Sequence, residues 1–256
     1  MERSEFLKRG FGSLLGITAI LPIIDACSDS TSIDPTTTTG TTTPGSSTVT
    51  TPSATTTAAS GSCTVTPSET EGPFPTKVPA NFVRKDIRAD RTGVPFTMNI
   101  TINNASASCA ALAGAIVDVW HCDKDGYYSE YGGSGMQSVN YQNVDFLRGR
   151  QTTDSNGLVS FTSIFPGWYS GRAPHIHVHI YNSAGKSLLV TQIAFPYAVS
   201  NTVYTTASAY GYTKGAQDTL NERDNVFSDG FTTELATVTG SVAAGYVLTH
   251  AITVNA

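Results

Sequence analysis

The chain has 256 residues, of which 39% are hydrophobic, enough for one substantial core with appendages. Fifteen basic against twenty acidic side chains leave a net charge of −5, so the chain lacks the cationic footprint of a nucleic-acid binder. Small molecules or proteins are the expected partners.

In chain order, Arg3, Lys8 and Arg9 precede an apolar run from Phe11 to Ile24. That run falls short of the ~20 residues that span a bilayer but matches a signal-peptide core. Residues 1–26 therefore read as a targeting segment. It ends in "IIDAC", which resembles a bacterial lipoprotein processing site with Cys27 as the lipidated residue; ordinary secretion is the alternative, because Asp25 is uncommon before such a cysteine. "RSEFLK" also bears a weak likeness to a twin-arginine signal. The expected location is outside the cytoplasm, with membrane attachment only through the lipid. Residues 27–62 are nearly all Thr, Ser, Pro, Ala and Gly and bury too little to offset their ordering entropy. They read as a flexible linker of roughly 30–35 Å reach.

From Cys63 to Ala256 the texture changes to short alternating segments: "TMNITIN", "AGAIVDVW", "LVSFTS", "HIHVHIYN", "SLLVTQIAF" and "YVLTHAITV". Period-two patterning with turns at "DSNG" (154–157) and "NSAG" (182–185) predicts an all-β domain, a mainly antiparallel β-sandwich with long loops and few short helices. One helix is expected around "AQDTLNER" within the polar excursion 198–229. Four cysteines are present; with Cys27 lipidated, three remain, and a Cys63–Cys109 disulfide is preferred because both sit at edges of strands or loops while Cys122 follows a buried-looking strand. No spacing suggests a zinc ribbon.

Three of the five histidines alternate in "PGWYSGRAPHIHVHI" (166–180). On a strand His175, His177 and His179 share one face at about 7 Å intervals, so two of them can reach one metal. The "SAGK" turn puts Gln192 across from His177. A structural or incidental origin is the commoner explanation of an isolated HxH. A cupin-type site would want a following glutamate, which "VHIYNSAGK" lacks; a zinc hydrolase with a distant acid is open on spacing alone.

"TPSETEGPFP" (66–75), "LAGAIVDVWHCDKDGYYS" (112–129), "FLRGRQTTDSNGLVSFTSIFPGWYSGRAPHIHVHI" (146–180) and "LLVTQIAF" (188–195), in this order, resemble the intradiol ring-cleavage dioxygenases, in particular the protocatechuate 3,4-dioxygenase β-subunit-like and exported intradiol dioxygenase-like group. The resemblance implies a mononuclear, non-haem Fe(III) held by Tyr128, Tyr169, His175 and His177. It implies that Arg172 and Gln192 face a catechol-type substrate and O₂, and that Tyr169 leaves the metal and takes up a substrate proton. His179 has no role in the family pattern, and His121 and His250 are left as structural. Phenolates are hard anionic donors suited to a trivalent cation, whose charge favours their ionisation. Only five residues separate Tyr169 from His175, fewer than in the protocatechuate enzymes, so the identity of the substrate does not carry over. Self-association stays open, and an exported β-sandwich that binds polyphenols without turnover is the alternative.

Overall fold

The computed structural model describes residues 63–256. The expected targeting segment 1–26, Cys27 and the linker 27–62 lie outside the described residues. Two sheets form a sandwich. The strands are β1 (Pro95–Asn104), β2 (Ala110–Ala111), β3 (Ile116–Trp120), β4 (Arg148–Thr152), β5 (Leu158–Ile164), β6 (His175–Tyr181), β7 (Ser187–Ala194), β8 (Thr237–Ser241) and β9 (Gly245–Val254), with one α-helix, α1 (Tyr197–Thr206). One sheet runs β2-β1-β9-β8, with β5 also pairing β1; the other runs β4-β3-β6-β7.

The core lies between the two sheets because the central strands turn every second side chain inward. In β1 these are Phe96, Met98, Ile100 and Ile102; from the facing sheet come Val117 and Val119 of β3 and Ile176, Val178 and Ile180 of β6. Each fully buried side chain of this kind is worth about 1.5–3 kcal/mol. All ladders are antiparallel except one: β1 and β9 run parallel, Phe96 opposite Tyr246 through Asn104 opposite Val254.

The helix stands elsewhere than expected. The segment "AQDTLNER" carries only a 3₁₀ turn, Asn221–Arg223, and the α-helix is α1. Tertiary contacts outweigh propensity at both places. Ser200, Val203 and Tyr204 of α1 are buried, and the Tyr204 hydroxyl donates to the Pro166 carbonyl at 2.9 Å. Polar side chains of 216–223 are instead spent on other segments: Ser200 Oγ donates to Gln217 at 2.6 Å, Ser170 Oγ to Asp218 at 2.6 Å, and Asn221 to the Phe195 carbonyl at 2.9 Å. Cys63 and Cys109 are joined by a disulfide with Cα atoms 5.6 Å apart, and Cys122 is a free, buried thiol. Among the described residues no helix is long and apolar enough to cross a membrane.

Candidate metal centre

Alternation along β6 sends Ile176, Val178 and Ile180 into the core and His175, His177 and His179 to the outer face of the four-stranded sheet. Cross-strand register extends that face: Trp120 and Gln192 flank His177 on its two sides, and Asp118 and Val190 flank His179. Gln192 thus stands across from His177, as the hairpin spacing predicts.

Three polar atoms converge above this face. His175 Nε2 lies 3.1 Å from His177 Nε2 and 3.4 Å from the Tyr128 hydroxyl. Tyr169 completes the group, its ring centroid 5.8 Å from His175 and 6.0 Å from Tyr128. Burial, reinforced by the Arg172 guanidinium, holds His175 at about 3, and burial followed by the His175 charge holds His177 well below its ordinary value; both rings are neutral at physiological pH. His175 Nδ1 lies 2.6 Å from the Ala173 carbonyl, which fixes the proton on that nitrogen and leaves Nε2 with a lone pair aimed inward. Burial pushes the Tyr128 hydroxyl well above 10 and raises Tyr169 as well, with Arg172 opposing in both. Two imidazole nitrogens and two phenols with at most one ring proton between the imidazoles form an electron-rich focus that a cation resolves. Among the described residues no group of three or more His, Cys, Asp or Glu is placed to hold a metal, so this focus gains no carboxylate of the zinc-hydrolase kind.

Arg172 and Gln192 meet beside the focus, Arg172 Nη2 donating to Gln192 Oε1 at 2.6 Å while Gln192 Nε2 donates to the Thr70 carbonyl at 2.8 Å. His179 stands apart, its Nδ1 3.1 Å from Glu71 Oε1 and its Nε2 2.8 Å from Ser187 Oγ. His121 is buried between the Cys122 carbonyl and Ser163 Oγ, each at 2.8 Å, and serves packing.

Sequence reasoning missed the residues that hold these groups in place. Asp224 is buried and receives Arg172 Nε on both oxygens, at 2.8 and 2.9 Å, and the Ala173 amide at 2.7 Å. Gln137 pairs with the backbone of Tyr128 on both sides, accepting its amide at 2.7 Å and donating to its carbonyl at 2.8 Å. Trp120 stacks on His177 at 4.9 Å with ring planes 2° apart, and Phe74 stacks on Tyr128 at 4.9 Å. Buried Arg148 ties the Phe74 carbonyl (3.1 Å) to the Ser129 carbonyl (2.6 Å). Phe74, Trp120 and Arg148 fall within the quoted stretches 66–75, 112–129 and 146–180, which gave a signal without a role, whereas Asp224 and Gln137 sit in polar loops without pattern. A cavity of about 430 Å³ opens beside Tyr169 between Phe74, Tyr127, Met136, Gln137 and Lys214, within the range of small-molecule sites.

The family model described as "Dioxygenase" matches residues 76–209, which include all six of these expected site residues. Two curated relatives are catechol 1,2-dioxygenase 1 of Acinetobacter lwoffii, 26% identical over 48% of this chain and 44% of the relative, and chlorocatechol 1,2-dioxygenase of Rhodococcus opacus, 29% identical over 43% and 46%. The chain spans less than half the length of either. An intradiol ring-cleavage dioxygenase from Tetranychus urticae superposes with a TM-score of 0.66 at 27% identity, over 75% of this chain and 95% of that one. With its sandwich fold and a family match over half its length, the chain belongs to the intradiol ring-cleavage dioxygenase family.

Proposed function

We propose that the chain is a non-haem, Fe(III)-dependent intradiol dioxygenase that opens a catechol-type ring between its two hydroxyls, adding both atoms of O₂ to give a muconate-type diacid. The observation that carries this reading is the convergence of His175 Nε2, His177 Nε2 and the Tyr128 hydroxyl within 3.1–3.4 Å, with Tyr169 alongside. Tyr128, Tyr169, His175 and His177 would hold the ion. When bound, it supplies the Lewis acidity that ionises phenols and orients an ortho-diol towards O₂.

The chain's own groups do the rest. Tyr169, half-buried at the cavity wall, would be held as a phenolate by the bound ion and take a proton from the incoming diol at that oxygen, becoming the neutral phenol. Arg172, held at the focus by Asp224, stabilises negative charge on the ring. Gln192, pinned through Thr70 and Arg172, presents its amide to an oxygen beside His177. Trp120 and Phe74 exclude water. Anchoring through a lipid on Cys27 is part of the same proposal, and a Cys27→Ser chain that still fractionates with membranes would contradict that part.

The test compares purified wild type with Tyr128→Phe and Tyr169→Phe for iron content and visible absorption. Wild type is expected to carry one iron and a tyrosinate band. Tyr128→Phe weakens iron retention, whereas Tyr169→Phe keeps iron and slows substrate deprotonation by about 10²–10⁴-fold. Colourless wild-type protein, or protein holding zinc, would overturn the proposal and favour a binding module without turnover.

A further inference from the structure

Two histidines of the run on β6 have a use in the proposed reaction and the third, His179, has none. Its Nδ1 lies 3.1 Å from Glu71 Oε1 and 2.9 Å from the Tyr181 hydroxyl, and Glu71 belongs to a segment, residues 70–74, that runs beside the histidine face of the sheet. That segment is tied down at both ends: the Thr70 carbonyl accepts Gln192 Nε2 at 2.8 Å, and the Phe74 carbonyl accepts Arg148 Nη1 at 3.1 Å while the Phe74 ring stacks on Tyr128. Between the ties lies Gly72 at φ +69°, its amide donating to Thr70 Oγ1 at 3.1 Å. A Cβ built on Gly72 would stand 3.0 Å from His177 Cε1 and 3.5 Å from its Nε2, tight enough that the imidazole has to give by a few tenths of an ångström. Only glycine combines this backbone angle with so close an approach. The imidazole of His177 is therefore set by the Trp120 ring on one face and the Gly72 backbone at its Cε1 corner.

We infer that Thr70–Phe74 is a strap that orients His177, that Gly72 is the positioning residue within it, and that the Glu71–His179 contact fastens it to β6. The contact stands on geometry alone; its consequence for metal binding rests on the proposed function. Groups that orient a ligating imidazole typically govern metal affinity by 10–100-fold. A partly exposed pair such as Glu71–His179 contributes far less, about two- to fivefold.

The experiment has two readouts on the purified full chain. The first is the resonance of the His177 Cε1 proton in metal-free protein, which reports ring position whatever metal is bound. The second is iron affinity with the position of the visible band. Gly72→Ala is expected to move the resonance, shift the band and weaken iron roughly 10–100-fold. Glu71→Ala and His179→Ala move the resonance the same way by less, with about two- to fivefold weaker iron. They also keep the inference testable if Gly72→Ala does not fold. Gly185→Ala, at φ +81° with nothing within 4 Å, controls for backbone strain alone and changes neither readout. An unmoved His177 resonance in Gly72→Ala, or in both Glu71→Ala and His179→Ala, would overturn the strap. A colourless wild type whose resonance still responds would instead overturn the metal assignment and leave the strap standing.

Discussion

Asp224 clamps Arg172 by accepting its Nε on both carboxylate oxygens, 2.8 and 2.9 Å away, across a separation of 52 residues. Both groups are buried, and the same carboxylate takes the amide of Ala173, two residues before His175. Removing one partner of a buried pair strands the other charge, so Asp224→Ala is expected to cost about 3–5 kcal/mol. Asp224→Asn, which keeps the shape and one acceptor, costs about 1–3 kcal/mol. Urea denaturation of the three proteins checks the order.

Gln137 acts on Tyr128 as a short strand would, one amide group against one backbone unit. Gln137→Ala leaves a buried N–H and C=O of Tyr128 without that partner, at about 1–3 kcal/mol for each group left unsatisfied. Gln137→Glu keeps the acceptor for the amide but turns a buried carboxylate oxygen toward the Tyr128, Tyr131 and Val139 carbonyls, so at neutral pH its denaturation midpoint should fall below that of Gln137→Ala.

How much of this was legible in the sequence depends on range. Strict alternation in "HIHVHIY" revealed β6 and the shared face of its histidines, and one hairpin loop sufficed to place Gln192 beside His177. Strand β4, "RGRQT", was not read because its alternate positions are Arg148 and Arg150, arginines that pair with buried partners rather than apolar side chains. Strand β8, "TVTGS", is an edge strand with mostly exposed residues and no apolar face to reveal it. Asp224, Gln137 and the parallel pairing of β1 with β9 depend on contacts between distant segments that no local period encodes.

Glu234 gives a pH signature. It is fully buried at the edge of β7, with Thr191 Oγ1 donating to Oε1 at 3.0 Å and no hydrogen-bond partner for Oε2 among the described residues. Burial, with nearby Glu69 adding, pushes its carboxyl up to about 8 from 4.5. Because the folded value lies above the unfolded one, this contribution to stability is fully present below pH 4.5 and is lost as pH rises towards 8. Glu234→Gln should therefore be destabilised less than wild type between pH 5 and pH 8, measured by denaturation midpoints. Glu69, raised to about 7 chiefly by burial, leaves a residual slope in the variant. Parallel pH profiles would contradict the assignment.

The Cys63–Cys109 bridge spans 46 positions and fixes the start of the domain to the loop between β1 and β2. Closing a loop of that length removes about 4 kcal/mol of unfolded-chain entropy in the simplest treatment. Cys109→Ser, or reduction, should lower the denaturation midpoint accordingly. The visible spectrum should be unchanged, since Cys109 adjoins β2 of the five-stranded sheet whereas His175 and His177 lie on β6 of the other.

The most direct measurement of the central claim is the fate of oxygen. Purified protein loaded with iron is given a panel of catechols, plain and ring-substituted, under ¹⁸O₂, and the products are analysed by mass. The account predicts a ring-opened muconate-type diacid carrying both labelled atoms, formed by wild type and lost in His177→Ala. Recovery of every catechol of the panel intact, or of products oxidised without ring opening, would contradict it.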